Sequence, residues 1–130
     1  MERIILTPQG VWDSSPYRFS QAIRVRNFQE VLFIAGQVGM DEQGRIPEGV
    51  EAQIRQAFQN IHRIVTSAGG SMQNVVKLNG YFRDLSALDP YTEVLGELFP
   101  KGGFPAATVV EVQSLALEPL LVEIEAIAVL

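Results

Sequence analysis

From Val50 to Ala68 the apolar positions recur three and four apart, at Val50, Ile54, Phe58, Ile61 and Val65, and Ala57, Ile64 and Ala68 widen the stripe. That period lays apolar side chains along one face of a helix. Arg55, Gln59, His62 and Thr66 fall on the other face, which places His62 in solvent. Gly69-Gly70 ends the run, since glycine takes the left-handed turn that closes a helix. A second helix is predicted from Asp89-Pro90 to Phe99, with Asp89 as N-cap, Pro90 in the first position and Pro100 as the stop.

The other apolar stretches are short and β-prone: residues 3–7 (RIILT), Gln21–Val25, Glu30–Ala35, Asn74–Phe82, Ala107–Val112 and Leu121–Val129. Ile23 and Val25 alternate with Ala22, Arg24 and Arg26, as expected of a strand with one wet face. VLFIA, at 31–35, is apolar throughout and predicts a strand buried on both faces. The glycine-spaced GQVGMDEQG that begins at Gly36 lacks the Lys-Ser/Thr pair of a phosphate loop and reads as a turn.

The order β-β-β-α-β-α-β-β predicts an α+β sandwich, a mixed sheet with two helices on one face, in a single domain over residues 1–130. Two helices cover only one face of such a sheet. The other still carries Val, Ile and Leu, so self-association through it is expected.

Composition narrows the chemistry. A chain of 130 residues, 47% hydrophobic, can bury a core without metals or disulfides. A net charge of −5 without Lys/Arg clusters argues against a nucleic-acid partner. The absence of cysteine and the single histidine exclude thiolate nucleophiles, zinc–sulfur sites and His-rich metal sites. No apolar run approaches the roughly 20 residues of a membrane span. The opening MERIILTPQG lacks the apolar region of a signal peptide. A soluble, cytoplasmic protein without a membrane partner is expected.

Two carboxylates stand out. In LLVEIEAIAVL, Glu123 and Glu125 share one face of an apolar strand with Ile127 and Val129. Glutamate is depleted in strands, and a buried charge needs a partner. One reading is a general acid or base with a pKa raised by burial. The other is a pair of structural glutamates at a wet subunit seam. Arg18, Arg24, Arg26 and Arg83 could each hold an anion bidentately, or stand as solvated surface arginines. Gly36 closes an apolar strand and could offer a backbone N–H to a ligand.

FSQAIRV, VLFIAGQVGMD, QIRQAFQNIHRIVTSAGG, VVKLNGYFRDL, FPAATVVEV and VEIEAIAVL occur in an order and spacing that resemble the RidA/YjgF family, the reactive intermediate deaminases also called L-PSP endoribonucleases. The resemblance runs from about residue 18 to the end. It implies a chorismate mutase-like sandwich and a barrel-like homotrimer with small-molecule pockets in the inter-subunit clefts. It also implies hydrolysis of enamines and imines to 2-keto acids and ammonia, without metal or cofactor.

The resemblance implies a site that departs from the family pattern. Ala107 stands where PARS carries the arginine that clamps the substrate carboxylate. Phe19 replaces the tyrosine of PYSQA, Ala35 the serine of SGQ, and Thr92 an asparagine on the second helix. Val109 stands at a small or thiol position, and Leu88 joins the same cleft. Glu123 and Gly36 are kept. Arg18, beside Phe19, is the candidate replacement clamp. The expected function is a RidA-like deaminase of altered specificity, with Glu123 as the catalytic residue. The alternative is a non-catalytic trimer binding an apolar or aromatic ligand in its clefts. A ribonuclease is disfavoured by the acidic balance and by the lack of a basic patch.

Overall fold

The computed structural model describes residues 1–130 throughout. Its strands are β1 (Glu2–Leu6), β2 (Ala22–Arg26), β3 (Val31–Val38), β4 (Val75–Phe82), β5 (Ala106–Glu111) and β6 (Val122–Val129), and its helices are α1 (Val50–Ser67) and α2 (Leu88–Leu98). β1 and β2 pair antiparallel. The main sheet runs β3-β6-β4-β5, with β4 parallel to β5 and antiparallel to β6. A parallel bridge from Ser20 to Ala106 joins the two sheets. Ser20 reinforces it by donating its backbone N–H to Pro105 O at 3.0 Å and its hydroxyl to Phe104 O at 2.5 Å.

The cross-strand register sorts the sheet into rows, because partners in adjacent strands point to the same face. Ala107, Leu78 and Ala126 form one row, and Val109, Gly80 and Ile124 the next. These rows pack against the helices: Ile124, Ala126 and Leu78 lie in the core with Ile54, Phe58, Ile61 and Val65 of α1 and Tyr91, Val94 and Leu95 of α2. On the opposite face lie the rows of Val110, Tyr81 and Glu123, of Thr108, Asn79 and Glu125, and of Lys77 and Ile127. The α+β sandwich with two helices on one face is therefore as the sequence predicts.

Three local expectations need correction. VLFIA is not buried on both faces. Ile34 is 5% exposed, but Val31 is 42% and Phe33 77% exposed, because the helices cover only the other side. Nor does Gly36 end that strand, since β3 runs on to Val38 across a register shift between Ile34 and Gln37. Asp89 is not a cap either. A 3-10 turn over Leu85–Ala87 feeds straight into α2, so Asp89 lies inside its first turn. The capping carboxylate belongs to Asp84, which accepts from Ser86 N–H at 2.7 Å, as Asp does at the start of a turn.

Candidate functional site

The residues singled out by sequence fall at two places on one chain. The first is a cavity of about 510 Å³ between α2, the edge strand β5 and the loop before β2. Phe19, Leu88, Thr92, Ala107 and Val109 all line it. So do Trp12, Tyr17, Tyr91, Leu95 and Thr108, which the sequence reading left out. Trp12 meets Tyr17 edge-on at 6.0 Å and Phe19 edge-on at 5.6 Å, a geometry aromatic rings favour. The usable signal was the local density of aromatic residues in the loop holding Trp12, Tyr17 and Phe19.

No ionised side chain lines this cavity. Arg18 follows the 3-10 turn Ser15–Tyr17 in the left-handed region, at φ 59°. Its side chain lies on α2, where Nη1 donates to Thr92 O at 2.9 Å. The guanidinium covers Gly96 so closely that a Cβ there would stand 2.6 Å from Arg18 Cζ. Arg18 thus braces the cavity wall from outside. Arg24 and Arg26 are exposed on β2, and Arg83 donates to Glu118 O at 3.3 Å. His62 is exposed on α1.

The second place is the helix-free sheet face. Glu123 and Glu125 sit there side by side but in different states. Glu125 Oε1 accepts from Asn79 Nδ2 at 2.9 Å and from Tyr81 Oη at 2.8 Å. Glu123, half-buried, takes part in none of the side-chain hydrogen bonds. Its carboxylate instead fills the space beside Gly36. A Cβ on residue 36 would lie 2.7 Å from Glu123 Cδ and 2.9 Å from Cγ, and closer still to Oε1. The missing side chain of Gly36 is what lets the carboxylate approach so closely; no unusual backbone conformation is involved. The interrupted β3 register, which skips Ala35 and Gly36, marks the same spot; bulges of this kind recur next to active sites.

Tyr81 records the local electrostatics. The bond to Glu125, then desolvation, then the charges of Glu125 and Glu123 hold its phenol above the usual tyrosine range, since each disfavours a phenolate. Nowhere do three His, Cys, Asp or Glu side chains gather as a metal site would need. No helix is long and apolar enough to cross a membrane.

The profile of the Endoribonuclease L-PSP family matches residues 14–130. The chain belongs to this family, the RidA/YjgF proteins. A RutC family protein of Pyrococcus horikoshii is 39% identical, with 98% of each chain covered. A 2-iminobutanoate/2-iminopropanoate deaminase of Dermatophagoides farinae is 36% identical over 99% of this chain and 97% of its own. Among solved structures, a Rid-family protein of Yersinia pestis, described as of unknown function, superposes with a TM-score of 0.90 at 30% identity over the whole of both chains. Within a RidA-family fold, the aromatic cavity and the Glu123–Gly36 contact lie on opposite faces of one sheet.

Proposed function

We propose that the protein is a cofactor-independent hydrolase of enamines and imines that lack a carboxylate next to the reacting carbon. It would act as a homotrimer. The helix-free face, which carries Phe33, Ile127 and Val110, would be the face that assembles. Each cleft would combine the aromatic cavity of one subunit with Glu123 and Gly36 of the next. The deaminases among its relatives support the reaction class.

The observation that carries the reading is the inequality of the two glutamates. Glu125 is engaged by Asn79 and Tyr81. Glu123 keeps its carboxylate unengaged within the chain and packed on Gly36. A carboxylate with free lone pairs can orient and deprotonate water. Water oxygen bonds to the imine carbon as Glu123 takes its proton. That proton passes to the imine nitrogen to give a carbinolamine. The carbinolamine's hydroxyl proton then moves to nitrogen as the C=O bond forms and the C–N bond breaks, releasing ammonia and a carbonyl product. Gly36 N–H would polarise the substrate.

Glu123→Gln should abolish turnover and leave the trimer intact, as read by an ammonia-coupled assay and light scattering. A second reading, a non-catalytic trimer binding an apolar ligand, is favoured by the uncharged cavity walls. It predicts that Glu123→Gln changes the stability of the assembly, or its pH dependence, and no turnover.

A further inference from the structure

We propose that the cavity selects neutral ligands that carry an aromatic ring and present an N–H to Thr92, so that the substrates are aryl-bearing imines or enamines rather than imino acids. The choice of substrate class rests on the hydrolase reading above; the choice of ligand class rests on the cavity alone.

Three observations carry it. The volume, about 510 Å³, is that of a small-molecule site and exceeds what a two- or three-carbon imine needs. The wall is aromatic where it is open. Trp12 and Tyr17 are 59% and 60% exposed, yet they are held in mutual edge contact, and Trp12 also holds Phe19. A flat ring can stack or pack edge-on against such a set. Third, the polar groups of the wall are all neutral, and beside the donors of Trp12, Tyr17 and Tyr91 stands one committed acceptor. Thr92 Oγ1 donates its proton to Leu88 O at 2.9 Å, so its remaining lone pairs can only accept. Thr108 Oγ1 accepts from Lys77 Nζ at 3.3 Å, which ties its hydroxyl to the other face of the sheet. An N–H on the ligand suits Thr92. A carboxylate would be repelled by the Thr92 oxygen and would find neutral donors but no cation, because Arg18 is spent on Thr92 O, and an anion desolvated without a charged partner is disfavoured.

Trp12 is the only tryptophan, so the cavity carries its own reporter. The test titrates the full-length protein with 3-phenylpropanamide, 3-phenylpropanoate and propanamide, following Trp12 fluorescence and checking by calorimetry. The amide should bind saturably, and the phenylpropanoate at least about tenfold more weakly, since the anion finds no charged partner. Propanamide, which lacks the ring, should give no saturable signal. Thr92→Val should weaken the amide several-fold and leave the carboxylate unchanged. Ala107→Arg should reverse the order of the two aryl ligands. Equal or tighter binding of the carboxylate by the wild type, binding that ignores the ring, or no binding of the amide would each overturn the proposal. Turnover separates it from the hydrolase reading. Amide binding without hydrolysis of any aryl imine removes the hydrolase and keeps the ligand class. Hydrolysis of a small non-aromatic imine without a carboxylate, in the absence of amide binding, does the reverse.

Discussion

The Glu123 carboxylate occupies the volume in which a side chain at Gly36 would begin. Gly36→Ala would therefore move the carboxylate rather than the strand, because the atoms in the way are the free end of a side chain. The expected loss of stability is less than about 1 kcal/mol, below the usual range for overpacking a rigid core. Turnover should nonetheless fall toward that of Glu123→Gln. The double variant should be no worse than either single one, as for residues acting as a unit. Kinetics on the three variants, with urea unfolding as the control, checks this.

Gly39 makes the opposite case. A Cβ there would lie 2.6 Å from both Cα and Cβ of Gln53, so backbone must move, and Gly39→Ala should cost about 1–3 kcal/mol or more. Gln53 itself, 2% exposed, donates to Pro47 O at 3.2 Å and Pro119 O at 3.0 Å and accepts from Leu121 N–H at 2.8 Å. Gln53→Ala strands those three groups and should destabilise by roughly 2–4 kcal/mol, given the cost of buried unpaired polar groups. Denaturant midpoints at constant m distinguish these losses from changes in the unfolded state.

Tyr81 predicts an alkaline limit. Its phenol is held up chiefly by the hydrogen bond to Glu125. A raised folded value means that the stabilisation is complete below the unfolded phenol's value of about 10. It is lost as pH rises from there through the folded value. Titration of tyrosinate absorbance should show Tyr81 ionising late, and Glu125→Gln should bring it earlier. Tyr81→Phe should remove that one group and flatten stability above about pH 10.

Tyr91 carries a hydroxyl that is buried without a partner, and burial alone pushes its phenol far up. Its ring stacks on Phe58 at 5.9 Å and meets Phe82 edge-on at 5.2 Å. Phenylalanine keeps both contacts and drops the unsatisfied oxygen. Tyr91→Phe should be neutral or stabilising by up to about 1 kcal/mol, in contrast to the loss expected of most core changes. A fall in melting temperature would show that the hydroxyl has a role in the fold.

The periodicity at Val50, Ile54, Phe58, Ile61 and Val65 was legible because a helix facing a core must repeat, and all five pack against the core or lie in it. Gln53 was not legible: it sits buried on the same helix, and only the positions of Pro47, Pro119 and Leu121 explain a polar group there. VLFIA misled for a related reason. Apolar runs report burial somewhere, and composition alone does not separate a core from an assembly face. Ala107, Val109, Thr92 and Phe19 could be grouped by resemblance, and they do share a cavity. That Glu123 lies across the sheet from them follows only from the register of β6 against β4, and Gly36 is placed beside it by the packing of the carboxylate. Arg18 had sequence proximity to Phe19 in its favour. Its left-handed backbone and the bare surface of Gly96 send the guanidinium to α2 instead.

Phe33 tests the assembly. At 77% exposure it stands on the helix-free face in the row of Ile127, a large bare side chain of the kind that marks an interaction surface. If that face joins three subunits, Phe33→Asp buries a charge without a partner in each contact, a heavy cost in any interface core. Light scattering at micromolar concentration should give a trimer for the wild type and a monomer for the variant. Circular dichroism should be little changed, because the helix-side core is untouched. Turnover should disappear with the trimer, since a lone subunit keeps Glu123 on one face of the sheet and the aromatic cavity on the other. A wild-type monomer, or an active variant monomer, would mean that the cleft between subunits is not where the reaction takes place.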